Sequence, residues 1–262
     1  MDKKYIDIHA HINFTDFSAD RDEVVTRAQK HGISIINVGT RHITSIEVTR
    51  LVEKYENMYA SIGLHPIYAE KEEFNENNYI ELLSNKKVVA IGECGLDFYH
   101  VSGDIDSTKR KQEEIFRKQI ELAIKFDKPL MIHCRDAYGD VLRILNEYKK
   151  VAGDTLRGNI HFFAGTKDEA KKFLELGFNM SFTGVITFAS QYKELVEFVP
   201  IDKIHAETDC PYVAPAPNRG KRNEPLNVID VVKKIAEIKG ISVEVLSKQL
   251  LLNAQNLFNL PF

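Results

Sequence analysis

The sequence predicts an α/β protein built as a (β/α)8 TIM barrel, and two observations predict it. Eight short apolar runs occur along the 262 residues, and longer patterns of helical spacing separate them. Apolar runs of this length, bounded by turn signals, are typical of parallel strands buried on both faces. The length suits one barrel, so we expect a single domain over residues 1–262. A doubly wound open sheet is the alternative arrangement of the same elements.

The apolar runs place the eight strands in chain order. We expect them at residues 5–9, 34–38, 59–63, 88–92, 130–133, 159–163, 180–183 and 204–208. Apolar stripes at helical spacing predict helices around residues 24–31, 116–123, 138–148 and 243–257. A further helix is expected to begin with a capping box of Thr166 and Glu169 and to end at Gly177.

The composition excludes several classes of protein. Lysine and arginine number 35 and aspartate and glutamate number 38, so the formal net charge is −3 and bulk charge cannot bind a polyanion. No apolar run approaches the ~18 residues of a membrane span, so we expect no membrane partner. Three cysteines are too few for a disulfide framework, which indicates the cytoplasm. No Gly-rich phosphate loop supports a nucleotide cofactor.

Side chains that can bind metal follow several predicted strands at their carboxyl ends. They are His9, His11, His65, Glu93, His133, His161 and Asp209. Parallel strands of a barrel direct these ends toward one common mouth, so we expect the seven groups to converge there. Imidazole and carboxylate ligands suit zinc, manganese, iron or cobalt, and carboxylate-rich sites also accept magnesium. The set exceeds the needs of one four-coordinate ion, so two ions bridged by a carboxylate are expected.

Alternation along a strand adds detail to this prediction. His9 and His11 are two residues apart, so both should point to the same face of the first strand. Asp7 should share that face one step deeper, where it would orient a ligand. His205 and Glu207 should share the face of Asp209 by the same alternation.

The three cysteines each follow directly on a proposed ligand. One step along a strand turns a side chain to the opposite face, so we expect Cys94, Cys134 and Cys210 to pack as small hydrophobic residues against the helices. A thiolate ligand or nucleophile is the alternative.

Several positively charged or imidazole groups are candidates for binding an anion. His65 would either complete the metal site or contact phosphate, and Arg135 would either grip a phosphate or pair with a barrel carboxylate. The loop after the eighth strand holds four of the eight prolines and carries Arg219, Lys221 and Arg222. We interpret it as a stiff loop of the site, with a solvated basic loop as the alternative.

These stretches together resemble the TatD family of metal-dependent deoxyribonucleases. The matching segments are Ile6–His11, Gly63–Pro66, Ile91–Asp97, Ile132–Ala137, His161–Gly165, Glu207–Tyr212 and Arg219–Pro225, together with the close at residues 253–258. The resemblance covers nearly the whole chain in order. One departure follows His161, where the family usually has Cys-Phe-Ser-Gly and this chain has Phe-Phe-Ala-Gly.

The resemblance implies a binuclear site and a nuclease activity. His9, His11 and Asp209 would hold one ion, His133 and His161 the second, and Glu93 would bridge them. The implied cofactors are two divalent ions per subunit, Mg²⁺ or Mn²⁺ by resemblance, whereas the imidazoles favour Zn²⁺. The implied reaction is hydrolysis of phosphodiester bonds in DNA, as a 3′ to 5′ exonuclease on single strands.

The roles expected for individual residues follow from this chemistry. Asp209 is our candidate for ligand and general base, and Glu93 shares the catalytic role. The groups expected to hold phosphate oxygens are His65, Arg135, Arg219, Lys221 and Arg222. A small-molecule amidohydrolase or phosphoesterase with the same site is the alternative, and a non-enzymatic metal- or partner-binding barrel is a third hypothesis. We expect a monomer or weak oligomer.

Overall fold

One eight-stranded parallel sheet forms the centre of the protein. The computed structural model describes residues 3–101 and 104–261. The strands pair in the order of the sequence, from the first to the eighth. Ala10 of the first strand also bridges Cys210, which follows the eighth. The sheet therefore curls round until its two ends meet, which confirms the (β/α)8 barrel and rules out the doubly wound open sheet.

All eight expected strands are present. Their bounds are β1 (Tyr5–Ala10), β2 (Ile33–Val38), β3 (Met58–Ile62), β4 (Val88–Asp97), β5 (Leu130–Arg135), β6 (Gly158–Ile160), β7 (Asn179–Phe182) and β8 (Ile204–Ala206). Four of them end earlier than expected, β3 and β7 by one residue, β8 by two and β6 by three, so His161 and residues 207–209 lie in the loops that follow β6 and β8.

The helices lie between the strands and after the last one. In the described part of the chain they are α1 (Arg21–Lys30), α2 (His42–Val52), α3 (Glu76–Leu83), α4 (Ile105–Lys125), α5 (Tyr138–Ala152), α6 (Lys167–Glu175), α7 (Lys193–Phe198), α8 (Val228–Lys239) and α9 (Val243–Phe258). The capping box of α6 is confirmed, because Thr166 and Glu169 each accept a hydrogen bond from the other's backbone N–H. None of these helices combines the length and the apolar character that crossing a membrane requires.

Two apolar clusters lie on the two faces of the sheet. Ile33 and Ile35 of β2 belong to a large cluster that the helices share, whereas Ile36 and Val38 belong to a smaller one. Alternation along the strand places these pairs on opposite faces, so the smaller cluster fills the interior of the barrel. The end of α9 contributes Phe258 to this interior cluster.

The register of β1 and β4 is irregular at the positions that carry site residues. Along β1, Asp7 pairs with Ile35 but Ala10 pairs with Asn37, so three steps on β1 match two on β2. Along β4 the same mismatch separates Ile91 from Cys94. An extra residue of this kind redirects nearby side chains, and here it falls beside His9 and Glu93.

Two glycines allow β4 to pass close to β5 at this irregularity. Gly92 and Gly95 have φ angles of +151° and +130°, which residues with a side chain rarely adopt. A Cβ atom on Gly95 would lie 2.0 Å from the carbonyl oxygen of His133. The backbone at these two positions therefore depends on glycine.

Candidate active site

A cavity of about 680 Å³ opens at the carboxyl ends of the strands. Six of the seven expected metal-binding side chains line it, namely His11, His65, Glu93, His133, His161 and Asp209. The seventh, His9, is fully buried and stacks on His161 with ring centroids 3.6 Å apart. The groups that the sequence places far apart therefore meet in one small volume.

Glu93 is the hub of this cluster. Its carboxylate oxygens lie between 3.0 and 3.7 Å from imidazole nitrogens of His9, His11, His65, His133 and His161. Burial alone would raise the pKa of Glu93, but the facing imidazoles, with His65 and His9 foremost, hold that pKa well below its usual value. The carboxylate is therefore ionised at neutral pH.

The first of the groupings that could hold an ion joins His9, His11 and Asp209. The Nε2 atoms of the two histidines lie 3.1 Å apart, and Asp209 Oδ1 lies 3.5 Å from His11 Nε2 and 3.9 Å from His9 Nε2. Burial opposes ionisation of Asp209, but its hydrogen bond with His11 and the nearby charge of His161 lower its pKa. These three residues are the ones that the resemblance assigns to one ion.

Two further groupings include Glu93. One joins His65, Glu93 and His133, and the other joins His9, Glu93 and His161. The resemblance assigns His133 and His161 to a second ion with Glu93 as the bridge, and both side chains face Glu93. His65 Nε2 lies 3.2 Å from Glu93 Oε1 and His65 also lines the cavity, a position that suits either of its two alternatives.

The chemistry of these side chains fits divalent cations. The ligand atoms in each grouping lie within 4.8 Å of one another and are imidazole nitrogens or carboxylate oxygens. His11 Nδ1 lies 2.9 Å from the carbonyl oxygen of Val38, which only accepts, so that nitrogen carries the proton. The Nε2 atom of neutral His11 is then free to bind a cation beside His9 and Asp209.

Comparison with known proteins identifies the family. The model of the family described as TatD related DNase matches residues 6–259. The chain is 38% identical over 258 residues to the uncharacterized metal-dependent hydrolase YabD of Bacillus subtilis (strain 168), with 97% of this chain and 98% of that protein covered.

The chain belongs to the TatD family.

Other relatives agree with this assignment. The 3′-5′ ssDNA/RNA exonuclease TatD of Pantoea ananatis (strain LMG 20103) is 31% identical over 264 residues, covering 97% of this chain and 99% of that protein. The crystal structure of YJJV, a TatD homolog from Escherichia coli K12, superimposes with a TM-score of 0.90 at 29% identity over 100% of both chains. Since the curated relatives include metal-dependent hydrolases, we describe this TatD-family chain as a metal-dependent hydrolase.

Asp7 of this TatD-family chain does not orient an imidazole, so that prediction is wrong. Its carboxylate accepts hydrogen bonds from the backbone N–H and the hydroxyl of Thr208, and a long one of 3.3 Å from the N–H of His9. The extra residue in β1 breaks the alternation on which the prediction depended. Asp7 instead ties β1 to the segment just before Asp209.

His205 also stays outside the cluster. Its ring is fully buried, its Nε2 atom lies 2.9 Å from the side-chain amide of Asn179, and its ring contacts Phe258. The residue lies four positions before Asp209, deeper in the barrel interior.

The cysteines of the TatD-family chain pack as expected. Cys94, Cys134 and Cys210 are buried free thiols within the large cluster shared with the helices. Burial raises the pKa of each thiol well above its usual value, which disfavours a thiolate. None of them belongs to a metal-binding grouping in residues 3–101 and 104–261.

The basic residues expected to contact phosphate take different positions. Arg135 lines the cavity and stacks on Tyr99 with its guanidinium carbon 3.8 Å from the ring centre. Within the described residues it forms no ion pair, so its pairing with a barrel carboxylate is not observed. Arg219 stacks on Phe188 at 4.2 Å. Arg219, Lys221 and Arg222 lie outside the cavity lining.

Arg222 has a further partner that the sequence pattern did not indicate. Its guanidinium donates two hydrogen bonds to the carboxylate of Asp20, at 2.6 and 2.7 Å, and one to the carbonyl oxygen of Asp16. Its positive charge is therefore largely compensated, and it anchors the loop to the chain before α1.

Two buried carboxylates beside the cluster were given no ligand or catalytic role in the sequence-based prediction. Asp97 Oδ2 lies 3.1 Å from His133 Nε2, and Glu207 Oε1 lies 3.0 Å from His161 Nδ1. Burial opposes protonation of His161, but the carboxylates of Glu207, Asp209 and Glu93, with Glu207 foremost, together outweigh it and raise the pKa of His161 to about 10. The available signal was alternation, because Asp97 lies four residues after Glu93 and Glu207 lies two residues before Asp209, and even spacings share one face of an extended chain.

Proposed function

We propose that this TatD-family hydrolase cleaves phosphodiester bonds in DNA, as a 3′ to 5′ exonuclease on single strands. The observation that carries the proposal is the convergence of buried imidazoles and carboxylates on Glu93 at the base of a cavity that Arg135 lines. The Pantoea ananatis relative, which is named as a 3′-5′ ssDNA/RNA exonuclease, supports the same chemistry. Residues 1–262 would act as one hydrolase domain.

The ligand assignment we propose uses two divalent ions per subunit, Mg²⁺ or Mn²⁺ in function with Zn²⁺ as the competitor. His9, His11 and Asp209 would hold one ion, His133 and His161 the other, and Glu93 would contribute to both. When bound, such ions supply Lewis-acid stabilisation of the phosphate and an activated water.

Asp209 is the proposed general base. It is the more exposed of the two carboxylates in the cluster, at 9% against 4% for Glu93, and it lines the cavity where substrate would enter. Its lowered pKa keeps it ionised at neutral pH, as a proton acceptor must be. It would take a proton from the attacking water while Glu93 keeps the surrounding imidazoles in place.

Phosphate oxygens would be held around the mouth. His65 and Arg135 line the cavity itself, and Arg219, Lys221 and Arg222 would contact more distant phosphates of a longer strand. A local group of positive charges would allow a chain with a net charge of −3 to bind a polyanion, with Arg219, Lys221 and Arg135 contributing more than Arg222, whose charge Asp20 offsets.

Aromatic residues at the mouth favour an unpaired strand. Tyr212 is 55% exposed and lines the cavity, and its ring lies edge-on to Phe14 at 6.4 Å. Phe14 in turn stacks on His11 at 4.6 Å. On the other side of the barrel, the guanidinium of Arg135 stacks on the ring of Tyr99. Exposed aromatic faces next to a phosphate site suit the bases of a single strand, which are free to stack.

The test is a cleavage assay on protein stripped with a chelator. End-labelled single-stranded DNA, duplex DNA, RNA and a panel of small esters would be incubated with Mg²⁺, Mn²⁺ or Zn²⁺ added back separately. We expect metal-dependent shortening of single-stranded DNA from its 3′ end and little cleavage of the duplex. Cleavage of the small esters alone would reject the proposal.

A small-molecule amidohydrolase or phosphoesterase is the second candidate. Two observations favour it: the cavity has the volume typical of small-ligand sites, and Asp20 neutralises Arg222. Replacing Arg219, Lys221 and Arg222 together by glutamine distinguishes the candidates, because only the nuclease should lose kcat/KM.

The setting we propose is cytoplasmic, since all three cysteines are free and buried. We further propose that the chain works as a monomer or weak oligomer, because the cavity is complete within one chain.

A further inference from the structure

We propose that Glu207 is a positioning residue that holds His161 in its metal-binding orientation, through a buried network across β6, β7 and β8. This inference rests on the proposed metal site and concerns residues that the proposed reaction leaves without a role. Glu207 follows β8 directly and is fully buried.

Glu207 holds both the ring and the backbone at His161. Its Oε1 atom lies 3.0 Å from His161 Nδ1 and accepts a 2.7 Å hydrogen bond from the N–H of Phe162. Phe162 has a φ of +46°, a left-handed conformation that is unfavourable for an aromatic residue. One carboxylate oxygen therefore fixes the turn after β6 and faces the imidazole that this turn presents.

The consequence for His161 concerns its two ring nitrogens. A carboxylate beside Nδ1 favours a proton on that nitrogen, which leaves Nε2 as the atom that binds a cation. His161 Nε2 points into the cluster, 3.7 Å from Glu93 Oε1. Glu207 therefore favours the ring orientation in which Nε2 of His161 faces the proposed metal site, and it increases the basicity of that Nε2 atom.

Two neutral side chains hold Glu207 itself. Ser181 of β7 donates a 2.7 Å hydrogen bond to Glu207 Oε2, and the side-chain amide of Asn159 on β6 donates one of the same length to Ser181 Oγ. All three side chains are fully buried. Because Ser181 accepts from Asn159, its own proton is directed at Glu207.

The charge of Glu207 argues against a purely structural role. Within the described residues, no lysine or arginine pairs with it, and its one ionic neighbour is His161. A buried pair of a carboxylate and an imidazole is weak evidence for a stabilising role, because the cost of removing both groups from water offsets their attraction. A carboxylate beside Nδ1 of His161 is explained if the opposite ring nitrogen, Nε2, binds a cation.

The test replaces Glu207 by glutamine, which keeps the shape and removes the charge. Mn²⁺ binding to the stripped protein would be measured by competition with a chromophoric chelator, without substrate. We expect E207Q to bind one of the two ions about 10- to 100-fold more weakly and to keep the other at wild-type affinity. Its metal-free melting temperature should fall, because E207Q removes the buried partner of His161, and the unchanged affinity for the other ion is the readout that a general loss of stability would not give.

Two further variants complete the experiment. H205Q alters another buried residue of the same chain segment and should keep wild-type affinity for both ions. S181A removes the donor to Glu207 and should weaken the same ion a few-fold, which tests the proposal even if E207Q fails to fold.

Some outcomes would overturn the inference. The first is that E207Q, or S181A if E207Q does not fold, binds both ions with wild-type affinity. The second is that the substitution weakens the binding of both ions equally. The third is that the wild-type protein binds no metal. Absence of nuclease activity with normal metal binding would reject only the proposed function.

Discussion

Glu93 divides its two carboxylate oxygens between two groups of histidines. Oε2 faces His9 and His11, at 3.4 and 3.7 Å, and Oε1 faces the other three histidines of the cluster. One side chain therefore serves both halves of the site, which is the arrangement a bridging ligand requires. At the residue scale, this division is the strongest support for two ions.

Replacing Glu93 by alanine tests that bridging role. Removing a ligand common to both ions should cost several kcal/mol of transition-state stabilisation, so we expect kcat/KM to fall at least about 10³-fold. Circular dichroism should show a folded barrel, and metal analysis should show fewer bound ions. Full activity in E93A would refute the bridging role.

His205 gives a pH-dependent contribution to stability that is separate from the metal cluster. Burial lowers the pKa of His205 to about 3, and the charge of Lys203 acts in the same direction. The unfolded chain takes up a proton near the ordinary value of 6.5, whereas the folded chain does not until pH 3. Folded stability from this residue is therefore lost as the pH falls from 6.5 toward 3.

The variant H205Q should lose less folded stability than the wild type as the pH falls. The glutamine carbonyl can accept from Asn179 but does not titrate, so the variant should lose about 2 kcal/mol less than the wild type between pH 6 and 4.5. Urea denaturation at a series of pH values measures the difference. Parallel pH curves for the two proteins would contradict the assignment.

At the scale of elements, the strands were predictable and their irregularities were not. Apolar runs fix where a buried strand lies, because burial on both faces requires apolar side chains. Strand alternation then places His9 and His11 together, as the 3.1 Å separation of their Nε2 atoms confirms. The extra residues in β1 and β4 depend on pairing with β2 and β5, which no local pattern contains, and this is why the prediction for Asp7 failed.

The contacts of the predicted site residues were harder to foresee than their positions. The sequence placed Arg222 in a basic loop, but its partner Asp20 lies 202 residues away. The sequence also left the neighbours of His65 open, and only the structure places its Nε2 atom 3.2 Å from Glu93 Oε1. Which side chains meet across the barrel mouth depends on how the sheet closes, so these contacts cannot be predicted until the three-dimensional arrangement of the strands is known.

The glycines of β4 provide a test of how the element is built. Gly95→Ala would place a Cβ atom 2.0 Å from the carbonyl oxygen of His133 at a φ of +130°, so the strand must shift. We expect a loss of at least about 2 kcal/mol in the free energy of unfolding, measured by urea denaturation.

Gly139→Ala is the matched control for this substitution. Gly139 lies in α5 with open space where its Cβ would be, so the change should be neutral or stabilise the helix by up to about 1 kcal/mol. Equal effects of the two substitutions would mean that β4 does not depend on its close approach to β5.

At the scale of the whole molecule, closure of the barrel creates the site. His9 and Asp209 stand 200 positions apart, yet the backbone N–H of Asp209 donates to the carbonyl oxygen of His9 where the ends of the sheet meet. The apolar interior and α9 fill the barrel below, so the polar groups collect at one mouth. A ligand bound at that mouth would contact residues from both the first and the last strand region of the sheet and should stabilise the whole fold.

Metal binding should therefore raise the melting temperature of the protein. An ion present at about 100 times its Kd adds about 2.7 kcal/mol to the stability of the folded state. For a chain of this size that corresponds to a rise of about 5–10 °C, which differential scanning fluorimetry can follow and a chelator should reverse. E93A, with the common ligand removed, should show a much smaller rise. An unchanged melting temperature of the wild type with Mg²⁺, Mn²⁺ and Zn²⁺ would mean that these converging side chains do not bind metal.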